Sequence, residues 1–232
     1  MPAHNEESTI EKCVKTILAS LNQAGVQKAW VVVVADGCND QTVEVARRVL
    51  GLCGEVMEIN ARSAGAARRA GAARILEHFD GVDHTRLWLA NTDADTYVTA
   101  NWIMVQLCLA DSGVTGVAGI VRLAAGGSVA AYRIYSATYE TGAEGTHTHV
   151  HGANLSMRAD AYLDVGGWSN LSLAEDHCLW GRLRHRGWRL SSPVTSVVIT
   201  SPRLEGRAQG GFADTLKRRI QSHHVDARVP AR

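Results

Sequence analysis

A chain of 232 residues and 25.0 kDa, 46% hydrophobic, is long enough for one sizeable α/β domain with a buried core. Its 24 basic and 23 acidic residues leave a net charge of +1, which removes the bulk pull toward nucleic acid or anionic membrane. Five cysteines without CxxC spacing, no 18-residue apolar run and no basic-then-apolar start argue against a disulfide framework, a transmembrane helix and a signal peptide. The expectation is a cytoplasmic protein without a nucleic-acid partner, in which the basic segment Lys217-Arg218-Arg219-Ile220 would permit peripheral contact with the inner membrane face or simply be a solvated tail.

In chain order, Ile10, Cys13, Val14, Ile17, Leu18 and Leu21 fall at helical spacing, and Ser8 with Glu11 has the form of a capping box. Val31 to Ala35 is a β-branched run that reads as a strand buried on both faces and ends at Asp36-Gly37. Asp40 or Thr42 can cap a second helix through Leu50. Val56 to Ile59 reads as a strand, Ala64 to Glu77 as a helix, and Leu87 to Ala90 as a strand. This alternation predicts an α/β fold with a mainly parallel central sheet.

Beyond Asp95 the pattern is mixed. Helices are predicted near Ala100 to Leu109, Val129 to Glu140 and Glu175 to Arg186, and strands at Val117 to Leu123, Val150 to Met157 and Val194 to Thr200. The whole reads as a single domain, with residues 1–97 as a nucleotide-binding half, 98–212 as a second half and 213–232 as a C-terminal helix or tail. The strand that should open such a sheet is apparently truncated, because Met1 lies directly before Pro2-Ala3-His4-Asn5-Glu6. Either the start lies too late or a shorter stub fills the gap.

The apolar run Leu87 to Ala90 stops at Asn91-Thr92-Asp93-Ala94-Asp95, two carboxylates one residue apart. Ligands of open α/β sheets sit at such strand ends, and paired hard oxygens suit Mg²⁺ or Mn²⁺ with a diphosphate. Turn and helix-cap roles are the structural alternatives. The N-terminus of the helix containing Gly65 can hold an anion through free N–H groups. Arg203 and Arg207, with Gly210-Gly211 behind them, suit a loop that closes over a diphosphate. His147, His149 and His151 alternate with period two, but no cysteine or carboxylate motif supports zinc beside them.

Taken together, Pro2-Ala3-His4-Asn5-Glu6-Glu7, Asp36-Gly37-Cys38-Asn39-Asp40, Asp93-Ala94-Asp95, Gly166-Gly167-Trp168 and Glu175-Asp176 resemble the inverting family 2 glycosyltransferases of the GT-A fold. That resemblance covers nearly the whole chain. It implies transfer of a sugar from a UDP- or GDP-linked donor to an acceptor hydroxyl whose identity the sequence does not give. Pro2, Ala3, His4, Asn5, Glu6, Asp36, Gly65, Arg68, Asp93 and Ala94 would bind the nucleotide, and Asp95 with Asp93 would hold Mg²⁺ or Mn²⁺. Asp176 would be the general base, with Glu175 as the fallback, and His151, Gly152, Asn154 and Trp168 would face the acceptor. The family's Gln-x-x-Arg-Trp signature of processive enzymes is absent, which implies single transfer. A retaining enzyme with the same nucleotide half, or a non-catalytic nucleotide-sugar-binding protein, are the alternatives. No Gly-x-Gly-x-x-Gly supports a dehydrogenase, and no Gly-rich basic N-terminal loop supports a nucleotidyltransferase.

Overall fold

The computed structural model describes residues 1–125, 145–171 and 173–203. At its centre lies β2 (Val31–Asp36), buried at all six positions and paired in parallel with β3 (Gly54–Ile59). Because successive side chains of a strand point to opposite faces, Val31 and Val33 pack with helices α1 (Ile10–Gln23) and α2 (Thr42–Leu50). Val32 and Val34 pack with Ala67 of α3 (Ala64–His78). A strand apolar on both faces therefore carries helices on both faces, as its sequence predicts.

β1 comprises only Pro2–Ala3, paired in parallel with Val34 and Ala35. The Met1 amine donates to the Val32 carbonyl, and burial pushes its pKa down to about 6. Beside β1 lies a cavity of about 240 Å³, lined by Met1, Val32, Ile75, Leu89 and Trp102 among others.

The remaining strands form two mixed sheets. In one, β4 (Trp88–Asn91) and β6 (Gly116–Ala118) flank β8 (Leu155–Arg158) antiparallel, and β9 (Leu190–Ser191) runs parallel to β6. In the other, β10 (Val197–Thr200) lies antiparallel to β5 (Thr96–Val98) and parallel to β7 (Ile120–Leu123). Helices α4 (Trp102–Asp111), α5 (Ala159–Asp164) and α6 (Glu175–His185) complete the described residues. A second core gathers Leu89, Leu155, Met157, Trp168, Leu179 and Leu183.

Several expectations need correction. The single strand over Val117 to Leu123 is two strands in different sheets, broken at Gly119. A Cβ there would run into the Asn154 amide and the Ser196 carbonyl, so only glycine lets the chain cross. The Ser8/Glu11 capping box is not made: Thr9 is the N-cap without a side-chain cap bond, and Glu11 pairs instead with Lys15 and Arg48. The expected strand from Val150 becomes a 3₁₀ turn, Gly152–Asn154, before β8 starts at Leu155. The expected helix over Val129 to Glu140 and the tail 213–232 lie outside the described residues.

Candidate active site

Strand β4 ends in a turn in which the Thr96 amide donates to the Asp93 carbonyl at 3.0 Å. That turn buries Ala94 and presents the Asp93 and Asp95 carboxylates. Asp93 accepts from Arg68 Nη2 at 2.5 Å, and Arg68 Nη1 donates to Glu175, at the start of α6. Arg68 thus ties residues 25 and 107 positions away in sequence. It lies on the small-residue face of α3 formed by Gly65, Ala67, Gly71 and Ala72, which leaves room for a buried guanidinium. Trp168, wholly buried, supports it from below at 5.3 Å. Burial alone would depress the Arg68 pKa, but Asp93, Glu175 and Asp176 outweigh it and raise it. Burial pushes the Glu175 pKa up, against the pull of Arg68.

Glu6 and Asp95 meet at a second arginine. Arg203 Nη2 lies 2.7 Å from Glu6 Oε1 and 2.8 Å from Asp95 Oδ2. Thr9 Oγ1 donates to the other Glu6 oxygen at 2.8 Å, and Thr42 Oγ1 accepts from the Glu6 amide at 2.7 Å. Asp95 is pushed up to about 6 by burial, with Arg203 opposing and Asp93 and Glu6 adding. Arg203 follows β10, whose Thr200 sits opposite Thr96, and the Ser201 amide donates to the Asp95 carbonyl at 3.1 Å.

Asp36, at the end of β2, also holds the loop that leads into α3. Its Oδ1 accepts from the Ala61 and Arg62 amides and its Oδ2 from the Ser63 amide, each at 2.7 Å. A carboxylate has about four acceptor positions, so roughly one remains on Oδ2 for a ligand. These bonds shape the loop into α3, where Ser63 Oγ caps the Ala66 amide. His4 Nδ1 lies 2.6 Å from the Asp36 carbonyl, and since a carbonyl only accepts, that nitrogen carries the proton. Asn5 Oδ1 accepts from the Asn39 amide at 2.9 Å, so it latches two loops together. Gly65 is covered rather than open: a Cβ on it would lie 2.7 Å from the Ser169 carbonyl and 2.8 Å from that of Leu171.

On the other flank, the Gly152 amide donates to Asp176 Oδ2 at 2.8 Å. A Cβ on Gly152 would fall 2.5–2.9 Å from the Arg68 guanidinium, so glycine is what allows this loop to lie against the arginine. Asn154 and Trp168, expected toward the acceptor, are buried at 1% and 0% exposure. Asn154 instead holds Trp102 Nε1 and the Ile120 and Ser196 carbonyls, a cross-link between the two mixed sheets. His147, His149 and His151 form a ladder with ring centroids 6.2 and 6.0 Å apart, and among the described residues they belong to no group of three His, Cys, Asp or Glu side chains that could hold a metal ion. Burial takes the His151 pKa down to about 4. Arg207 lies outside the described residues.

The donor set at Asp95 and Glu6 fits a hard divalent cation: two carboxylate oxygens already touch one cationic nitrogen. Among the described residues no three His, Cys, Asp or Glu side chains form a closed metal cage. Sequence reading found the acids but missed both arginine bridges and the Gly152 amide. The one available signal was a pair of arginines inside an alanine- and glycine-rich helix, where Arg69 is exposed and Arg68 is buried.

The chain matches the family model described as glycosyl transferase family 2 over residues 1–163. No curated protein matches it significantly in sequence. Among solved structures, the mannosyltransferase PcManGT from Pyrobaculum calidifontis, in complex with GDP-Man and Mn²⁺, is similar with TM-score 0.65 and 19% identity, over 97% of this chain and 60% of its own. TarS of S. aureus gives 0.65 and 15%, over 98% of this chain and 39% of its own. Glucosyl-3-phosphoglycerate synthase from Mycobacterium tuberculosis, with Mn²⁺, UDP-glucose and phosphoglyceric acid, gives 0.58 and 16%, over 95% and 77%. At these identities the likeness is one of fold, and the α/β GT-A architecture is shared. By its family match over most of its length, the chain belongs to glycosyl transferase family 2.

Proposed function

We propose that this protein transfers a sugar from a nucleoside diphosphate sugar to an acceptor hydroxyl, with inversion and one sugar per encounter. The observation that carries the reading is the convergence of Asp93, Glu175 and Asp176 through Arg68 and the Gly152 amide. Structural neighbours bound to GDP-Man or to UDP-glucose, each with Mn²⁺, support the donor class. Asp176 is the better general base of the two adjacent acids. Glu175 is 7% exposed and committed to Arg68, whereas Asp176 is half-buried and held by a neutral amide. In that role Asp176 takes the proton of the acceptor hydroxyl as its oxygen attacks the anomeric carbon and the nucleoside diphosphate leaves. The Gly152 N–H fixes the carboxylate's direction, and Arg68 keeps the start of α6 in register with the Asp93 turn.

Asp95, with Glu6 beside it and Asp93 one residue away, would hold a Mg²⁺ or Mn²⁺ ion. Such an ion, when bound, supplies neutralisation of the charge that builds on the leaving diphosphate. The remaining acceptor position of Asp36 and the loop Pro2 to Glu6 border the nucleotide side. The test is a screen of UDP- and GDP-sugars with Mn²⁺ or Mg²⁺, reading nucleotide release and, by NMR, the anomeric configuration of the product. Asp176→Asn should lower turnover by about 10²–10⁴-fold while nucleotide binding is kept. Full activity of that variant sinks the base assignment, and a retained anomer sinks inversion.

A further inference from the structure

We propose that Arg203 is a built-in counter-cation for the Asp95–Glu6 pocket, and that a divalent ion enters by displacing it, freeing the guanidinium for the incoming diphosphate. The inference rests on the reading of Asp95 as the ion's ligand. One nitrogen, Nη2, touches both Asp95 Oδ2 and Glu6 Oε1, at 2.8 and 2.7 Å. It stands where a hard cation would share the same two oxygens. Two positive charges cannot occupy that point together, since like charges a few ångströms apart repel strongly at low dielectric.

The acids are anchored and the arginine is not. Glu6 is held by Thr9 through its side chain and by Thr42 through its amide, and is 5% exposed in its side chain. Asp95 is held through its carbonyl by the Ser201 amide, and Thr96 Oγ1 lies 3.2 Å from its Oδ1. Arg203 is 30% exposed, follows Pro202 outside any helix or strand, and among the described residues forms ion pairs with these two acids. Its long side chain can swing away while the Thr96–Thr200 pairing and the Ser201 bond keep the backbone in place. Arg68 contrasts in its setting: its side chain is 5% exposed, separate nitrogens hold Asp93 and Glu175, and it packs on Trp168. The two arginines therefore differ in kind, one a permanent brace and the other an exchangeable occupant.

The test titrates Mn²⁺ alone into the full chain, without donor sugar, and follows the loss of the free-ion EPR signal. Arg203→Met should bind Mn²⁺ about ten-fold more tightly than the unmodified chain, the scale of one partly exposed charge-assisted pair. Arg203→Lys, a cation of different shape, should fall between them. In thermal melts Arg203→Met should start lower without metal, its two acids facing each other unneutralised, and gain more from Mn²⁺ than the unmodified chain does. If the unmodified chain binds Mn²⁺ and Arg203→Met binds it equally or more weakly, the displacement is overturned while the metal reading stands. If neither protein binds Mn²⁺, the metal reading falls and the displacement with it.

Discussion

Removing Arg68 strips the positive partner from a buried acid. In Arg68→Met, Asp93 is a third exposed and can turn to water, so its loss is worth less than about 1 kcal/mol. Glu175 is 10% exposed in its side chain and has no such escape except to take a proton. Protonating a carboxyl of ordinary pKa ~4.3 costs about 1.4 kcal/mol per pH unit above it, which sets a ceiling of roughly 3.7 kcal/mol at pH 7 and about 1 kcal/mol at pH 5. The first figure lies in the range of about 3–5 kcal/mol seen when one partner of a buried ion pair is deleted. Burial already raises the Glu175 pKa in the folded protein, and losing Arg68 raises it further. A carboxyl whose folded pKa exceeds its unfolded one destabilises the fold above the unfolded value, and acid relieves that penalty. Arg68→Met should therefore lose about 3–4 kcal/mol at pH 7 and only about 1–2 kcal/mol at pH 5. Urea unfolding followed by tryptophan fluorescence at the two pH values measures both. A deficit under about 1 kcal/mol at pH 7, or one equal at both pH values, refutes the claim that Arg68 is the brace.

Gly152→Ala places a methyl 2.5–2.9 Å from a guanidinium that two carboxylates hold in place, so the loop, not the arginine, must move. It should cost about 1–3 kcal/mol in thermal or urea unfolding and, by shifting the amide off Asp176, about 10²-fold in turnover with little change in nucleotide affinity. Unchanged turnover would separate that amide from catalysis. His151, with its pKa pulled down to about 4 by burial, binds its proton more readily when unfolded. Its contribution is complete above about pH 6.5 and is lost as pH falls toward 4, at up to about 1.4 kcal/mol per unit. His151→Gln should flatten that part of the stability–pH curve, and an unchanged slope there excludes His151 as its source.

The nucleotide half was readable because its signals are local. The β-branched run Val31 to Ala35 announces a doubly covered strand, and the helical spacing of Ile10, Cys13, Val14 and Ile17 announces α1. The acids at strand and helix ends were visible for the same reason, since an apolar run that stops at a carboxylate is a one-dimensional pattern. What the sequence hid is the pairing. Arg68 with Glu175 spans 107 positions, and no periodicity encodes which of two adjacent arginines turns inward. The burial of Asn154 and Trp168 was hidden too, because a glycine-rich loop reads alike whether it faces ligand or core. Gly119 illustrates the same limit: one apolar run served two sheets, and only the surrounding Asn154 and Ser196 explain the break.

Among the described residues, three non-glycine positions adopt positive φ, and all three lie in loops of this site: Asn5 at 55°, Arg62 at 50° and Ala174 at 58°. Left-handed backbone costs an ordinary residue about 1–2 kcal/mol, so each persists only where its surroundings over-determine it. Asn5 is latched to Asn39 through its side chain, Arg62 donates its amide to Asp36, and the Ala174 carbonyl accepts from the Cys178 amide in the first turn of α6. Each of these residues lies beside an acid, by sequence or by its bond: Glu6 follows Asn5, Asp36 accepts from the Arg62 amide, and Glu175-Asp176 follow Ala174. The positive-φ residues sit where acids from separate elements are brought together, and the two arginines offset the repulsion among those acids. Arg68, buried between Asp93 and Glu175, braces that arrangement, whereas Arg203, 30% exposed, is the partner able to yield.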